Sequence, residues 1–115
     1  MENVDSNLFN EVIAYIRKYY YIPESELINE KSKLEEDIGI TGDEAAEFII
    51  AYGKKFEVNV SNLPMSDYFK AEGSDFLDFF GLKKKKIKKF LTVGDLVKGI
   101  KAGILNEEVI GMPLE

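Results

Sequence analysis

The 115-residue sequence contains no cysteine, no histidine and no tryptophan, and it has only three prolines. Without cysteine, this chain has no disulfide framework, thiolate metal site or cysteine nucleophile. Without histidine, it lacks the commonest metal ligand and the commonest general base, and a serine–histidine–carboxylate triad is excluded. These absences weigh against an enzyme, and we expect a protein that binds rather than catalyses.

Positive charge is also scarce, since 15 lysines and arginines stand against 21 aspartates and glutamates, for a net charge of −6. Such a chain repels phosphates, so no nucleic-acid partner is expected. No apolar run approaches the roughly 18 residues of a spanning helix, and the acidic residues 1–5 do not resemble a basic signal-peptide start. We therefore expect a cytoplasmic protein with a single domain over residues 1–115 and a core at about 6–103.

Apolar residues at three- and four-residue steps predict helices over 6–20, from 43 to 56, and from Thr92 to about 102. Before the second of these helices, Thr41 and Glu44 have the spacing of a capping box. Its predicted buried residues are Ala45, Phe48, Ile49, Tyr52 and Phe56. Gly103 is a suitable stop for the last helix.

The segments between these helices are less regular. The polar connection 23–37 is predicted to be a loop held by three apolar side chains, Leu27, Ile28 and Leu34. Residues 73–81 are apolar and predict a short helix or plug within an insertion at about 70–90, and residues 104–115 are expected to form an ordered strap or a loose end. The tyrosines at 19–21 are expected to pack. Three long helices and one short one predict an all-α four-helix bundle.

Two short motifs in this helix order resemble acyl carrier proteins. Residues 34–40, Leu-Glu-Glu-Asp-Ile-Gly-Ile, lead into the acidic second helix as the central stretch of those carriers does. Residues 91–97, Leu-Thr-Val-Gly-Asp-Leu-Val, are similar to the start of the carriers' last helix. The resemblance spans about 6–102 and implies an acyl-carrier-like four-helix bundle with an insertion before the last helix. The chain is also similar to an uncharacterised family of short bacterial proteins in this superfamily.

The resemblance fails at the residue that carries carrier chemistry. Asp37 and Gly39 fall on the turn before the prosthetic-group site, but Gly42 stands where carriers have the serine that bears 4′-phosphopantetheine, and Thr41 stands at the preceding aspartate. Glycine has no nucleophilic atom, so no cofactor is expected at this position. The alternative is an atypical carrier modified on Thr41 or another hydroxyl, although Thr41 is β-branched and is the predicted cap.

The acidic start of the second helix is the candidate partner-binding site. Helix two is the docking face of the carriers that the chain resembles, and Glu47 falls where they keep a glutamate. We therefore expect Asp43, Glu44 and Glu47 to bind a protein partner, such as an enzyme of lipid or polyketide synthesis. The competing interpretation is a solvated helix end on which each carboxylate contributes a few tenths of a kcal/mol with the helix dipole.

Two further patterns are weighed against simpler explanations. The basic block comprises Lys83, Lys84, Lys85, Lys86, Lys88 and Lys89. It can contact an anionic membrane after the apolar residues 76–82, but a solvated loop is the favoured interpretation. Residues from Asp37 to Gly42 begin like a calcium loop, yet glycine stands at its third position and Phe48 at its twelfth, so no metal site is predicted.

Overall fold

The computed structural model describes residues 4–40, 42–64, 68 and 90–112. Over these ranges no strand occurs, and only two isolated β-bridges are present. The elements are helix α1 (Val4–Tyr20), a π-helical turn (Leu34–Ile38), α2 (Gly42–Phe56), α3 (Val93–Ala102) and α4 (Glu107–Ile110). The predicted all-α class is confirmed, and the three long helices lie close to their predicted bounds.

Helices α1 and α2 pack in antiparallel fashion through aromatic rings. The Tyr15 ring meets Phe56 edge to face at 5.7 Å between centroids, while the Tyr20 ring lies 5.8 Å from Phe48. The later residue of α1 thus contacts the earlier residue of α2. Apolar residues at helical spacing fill the interior between α1, α2 and α3. Those with no more than 2% exposure in these helices are Val12, Ile16, Ala45, Phe48, Ile49, Tyr52, Val93, Leu96 and Val97.

Helix α3 is fixed by a complete capping box at its start. The Thr92 hydroxyl accepts a hydrogen bond from the Asp95 backbone N–H at 3.2 Å, and the Asp95 carboxylate accepts one from the Thr92 N–H at 2.9 Å. These bonds satisfy backbone donors that have no partner within the helix. Asp95 is only 7% exposed. Gly103, with φ of 81°, ends the helix in the left-handed region as predicted.

The connection before α2 is tied to the segment before α3. The Leu34 N–H donates to the Leu91 carbonyl at 2.9 Å, and the Val93 N–H donates to Ser32 at 3.1 Å. A second tie joins the segments after α2 and α3, since Asn59 donates to Gly103 at 3.0 Å and accepts from Leu105 at 2.9 Å. Both ties hold irregular backbone against the helices and cover the core.

The prediction for residues 23–37 is correct in part. Ile28 and Leu34 are buried, but Leu27 is 84% exposed and does not hold the loop. The Arg17 guanidinium holds it instead, because it donates to the backbone carbonyls of Pro23 and Glu26. The loop also contains the π-helical turn, which the sequence pattern did not predict.

The prediction that all three tyrosines of residues 19–21 pack is wrong for Tyr21. This residue is 90% exposed and ends α1 with φ of 55°, in the left-handed region. Tyr19 and Tyr20 do pack, with their ring centroids 4.9 Å apart.

Residues 104–112 form an ordered strap rather than a loose end. Leu105 is fully buried, and the four-residue helix α4 follows, with Val109 at 6% exposure. The Lys98 ammonium on α3 donates to the Ile110 carbonyl at 2.7 Å, which joins α4 to α3. Residues 113–115 lie outside the described ranges, and so does the predicted insertion at about 70–90 except for Phe90.

Candidate partner-binding face

The solvent side of α2 carries two of the three predicted acidic residues, Glu44 and Glu47. Glu44 and Glu47 are exposed and lie three residues apart, so they are neighbours on the helix surface. Their carboxylates occupy the first turns, where the helix dipole favours negative charge, while Lys54 and Lys55 occupy the last turn. Over the described ranges, neither Glu44 nor Glu47 forms an ion pair. The helix therefore presents an acidic first half, and these charges remain available to a partner.

Ile50 adds an apolar group to this face, which the sequence analysis did not identify. It is 52% exposed and lies three residues after Glu47, on the same side of α2. The signal was present in the sequence, because Ile50 lies outside the predicted buried stripe of that helix. A half-exposed isoleucine beside carboxylates combines burial energy with charge, as protein interfaces do.

Contacts from α1 hold α2 in a fixed orientation. The Tyr15 hydroxyl donates to the Phe48 carbonyl at 3.3 Å, and the Tyr19 ring meets Phe48 edge to face at 5.4 Å. Edge-to-face ring pairs contribute about 0.5–1.5 kcal/mol beyond their buried area. The acidic face of α2 (Glu44 and Glu47) therefore belongs to a helix that is packed against α1 through these contacts.

Tyr20, the last residue of α1, lies close to the acidic residues of α2. Its hydroxyl is buried and has no hydrogen-bond partner in the described part of the chain. Burial raises the pKa of Tyr20 well above its usual value, and the nearby carboxylates of Glu44 and Glu47 raise it further. Both glutamates are thus close enough to the end of α1 to act on this hydroxyl through space.

The expected prosthetic-group position begins α2. Gly42 is the first residue of the helix, and Gly39 precedes it at φ of 93° as the end of the π-helical turn. Thr41 and the side chain of Asp43 lie outside the described residues, so the predicted capping box and the alternative modification site stay predictions. The Asp37 carboxylate accepts a hydrogen bond from the Lys33 N–H at 2.8 Å, which gives it a structural role in the turn.

The other predicted sites are only partly described. All six residues of the basic block lie outside the described ranges. Phe90, which follows the block, is half-exposed and lies 4.3 Å below the Lys33 ammonium in a cation–π contact. Over residues 4–40, 42–64 and 90–112, no three acidic side chains form a group that could hold a metal ion. Within the same ranges, no helix is long and apolar enough to cross a membrane.

Burial of the Tyr15 hydroxyl between α1 and α2 is expected to make the protein less stable at alkaline pH. Burial, together with Tyr19, raises the pKa of Tyr15 to about 12, against 10.0 for the free side chain. Between about pH 10 and pH 12, Tyr15 keeps its proton in the folded chain but has lost it in the unfolded chain. The free energy of unfolding therefore falls as pH rises through this range. Urea titrations across this window should show a shallower fall for Tyr15→Phe. An identical slope in both proteins would contradict the prediction.

Comparison with known proteins gives one match. A family model described as a protein of unknown function, DUF1493, matches residues 1–105. This range includes α1, α2, α3 and both backbone ties between the connecting segments. No curated protein and no solved structure matches the chain.

Proposed function

The chain belongs to the DUF1493 family, and we propose that it is a non-catalytic interaction module, an adaptor or regulator that binds a protein partner through the acidic face of α2. The observation that carries this proposal is the arrangement of Glu44, Glu47 and Ile50 on one exposed side of α2. A basic partner surface complements the carboxylates, which speed association and fix orientation. An apolar recess in the partner complements Ile50.

The proposal includes an acyl-carrier-like bundle that works without a prosthetic arm. Helices in the order α1, α2, α3, with an irregular connection after α1, support this architecture. The absence of a side chain at Gly42 supports function without 4′-phosphopantetheine, because no oxygen is available there for the phosphodiester. This architecture favours, as a partner, a cytoplasmic enzyme of lipid or polyketide synthesis that recognises carrier-shaped surfaces.

Charge reversal on α2 tests the binding face. In the double variant Glu44→Lys/Glu47→Lys, we expect affinity for the main partner to fall at least tenfold at 0.15 M salt, because attraction becomes repulsion across the interface. The partner is first retrieved from a host lysate and identified, and its Kd is then measured with purified protein. Both glutamates are exposed, so the circular dichroism spectrum of the variant should match that of the parent.

The matched control is Glu24→Lys/Glu26→Lys. It makes the same charge change at two exposed residues of the loop after α1. This control should weaken binding less than threefold, because it makes the same change in net charge while leaving Glu44 and Glu47 in place. An equal loss in both double variants would mean that net charge, not the α2 face, determines binding. Unchanged binding in both would contradict the proposal.

Intact-mass analysis separates this function from the carrier alternative. We expect no added mass after co-expression with a pantetheinyl transferase. A phosphopantetheine adduct would overturn the non-covalent proposal, and loss of that adduct in Thr41→Val would locate it on Thr41.

A further inference from the structure

A groove separate from the acidic face runs between α1 and the last turn of α2. It has a volume of about 480 Å³. Five of its lining residues form a single stripe of α1 and the sixth comes from α2; they are Glu11, Ala14, Tyr15, Lys18, Tyr19 and Lys55. We refer to it as the α1–α2 groove.

The floor of the groove is apolar and already ordered. Ala14 and the rings of Tyr15 and Tyr19 form it. Both rings pack on Phe48, with a centroid separation of 5.4 Å in each case, and the Tyr15 hydroxyl is bonded to the Phe48 carbonyl. Because these rings are held in place before any ligand arrives, binding does not have to order them.

The rim of the groove is positive in a chain that is negative as a whole. Lys18 and Lys55 supply two ammonium groups, one from each helix, against the single carboxylate of Glu11. Over the described ranges, none of these three residues forms an ion pair. The Lys55 ammonium lies 5.5 Å from the Phe56 ring centroid, which keeps it next to the aromatic cluster.

We propose that the α1–α2 groove binds a small molecule that has both an aromatic ring and a carboxylate. The ring stacks on Tyr15 and Tyr19, where offset and edge-to-face arrangements are favourable. The carboxylate accepts hydrogen bonds from the ammonium groups of Lys18 and Lys55, and such charge-assisted bonds are stronger than neutral ones. An anion is selected over a cation because two positive groups outweigh Glu11.

Phenylpropionate is a suitable probe, since two methylenes separate its ring from its carboxylate. We expect saturable shifts in the two-dimensional ¹H–¹⁵N NMR spectrum at the lining residues, with a Kd of about 1 mM for so small a ligand. Two control compounds each lack one of the two recognised groups, the carboxylate or the ring. Phenylpropanamide, which keeps the ring without the charge, should bind at least threefold more weakly, and acetate, which keeps only the charge, should give no saturable shift at the lining residues.

Neighbouring lysines on α2 provide a matched pair of variants. Lys55 lines the groove whereas Lys54, also exposed, does not. We expect Lys55→Gln to raise the Kd for phenylpropionate about threefold, an effect typical of an exposed charge pair. Lys18→Gln/Lys55→Gln should raise it about tenfold, while Lys54→Gln should leave it unchanged. The same spectra report folding, because shifts far from the substituted residue would reveal a disturbed structure.

Three outcomes would overturn this proposal. These are equal affinity for the amide and the acid, equal effects of Lys54→Gln and Lys55→Gln, and shifts that do not saturate or that map away from the groove. None of them bears on partner binding through Glu44 and Glu47, which is measured with a protein partner.

Discussion

Replacing Gly99 by alanine is expected to lower the free energy of unfolding by about 1–3 kcal/mol, the range for overpacking a close-packed core. A Cβ at this position would overlap the Tyr52 hydroxyl and would lie 3.2 Å from Leu105. Tyr52 is completely buried and donates its hydroxyl proton to the Leu96 carbonyl at 2.7 Å, so its ring cannot move aside without losing that bond. The clash outweighs the gain of about 1 kcal/mol in helix propensity.

A double-mutant cycle identifies the source of this loss. Tyr52→Phe removes the hydroxyl that meets the new methyl group, so Gly99→Ala should cost less in the Tyr52→Phe background than in the wild type. Gly111→Ala is the control, because a Cβ there makes only ordinary contacts, the nearest at 3.6 Å, and φ is −78°. Urea or guanidinium titration measures the free energy of unfolding of the four proteins of the cycle and of the control. Additive effects of the two core substitutions would contradict the assigned contact.

Removing the Asp95 carboxylate is expected to cost about 2–4 kcal/mol, because a buried cap and a buried ion pair are lost together. The carboxylate accepts from the Thr92 N–H at 2.9 Å and from the Thr92 hydroxyl at 3.1 Å. It also pairs with Lys98 at 3.3 Å. Asp95→Ala therefore leaves a backbone donor and an ammonium group without this partner, in a place where water has little access.

Two further substitutions separate the cap from the charge. Asp95→Asn keeps an oxygen that can accept from Thr92 and should restore at least half of the stability lost in Asp95→Ala. The Asn106 side chain caps α4 by accepting a single hydrogen bond, from the Val109 N–H at 2.9 Å. Asn106→Ala removes this simpler cap and should lower the free energy of unfolding by about 1 kcal/mol. A loss in Asp95→Ala no larger than that in Asn106→Ala would show that burial adds nothing to the cap.

The long helices were predictable because their order is local. In α2 the spacing of Phe48, Ile49 and Tyr52 encodes a buried stripe, and the structure buries all three. In α3, Thr92 and Gly103 mark the start and the stop through the backbone conformations that each residue favours. The exposure of Glu44 and Glu47 follows from the same periodicity.

The features that the sequence did not reveal depend on contacts between distant segments or on elements too short to have a period. Helix α4 has only four residues, and Leu105 before it is buried through its bond to Asn59. Leu27 was predicted to hold the loop, but Arg17 holds it by donating to two backbone carbonyls. Every residue has a backbone carbonyl, so the sequence gives no sign of this contact. The α1–α2 groove exists only once two helices cross, so no single segment encodes it.

The tie between the loop before α2 and the start of α3 has a consequence for biosynthesis. The Leu34 N–H donates to the carbonyl of Leu91, and the Tyr52 hydroxyl donates to the carbonyl of Leu96, 44 residues later. A nascent chain that has not yet exposed these later residues outside the ribosome therefore has an open hydrophobic interior. Because distant segments meet only at a cost in chain entropy, closure of this interior waits until residues 91–97 have left the ribosome, and the apolar faces of α1 and α2 stay open to water until then.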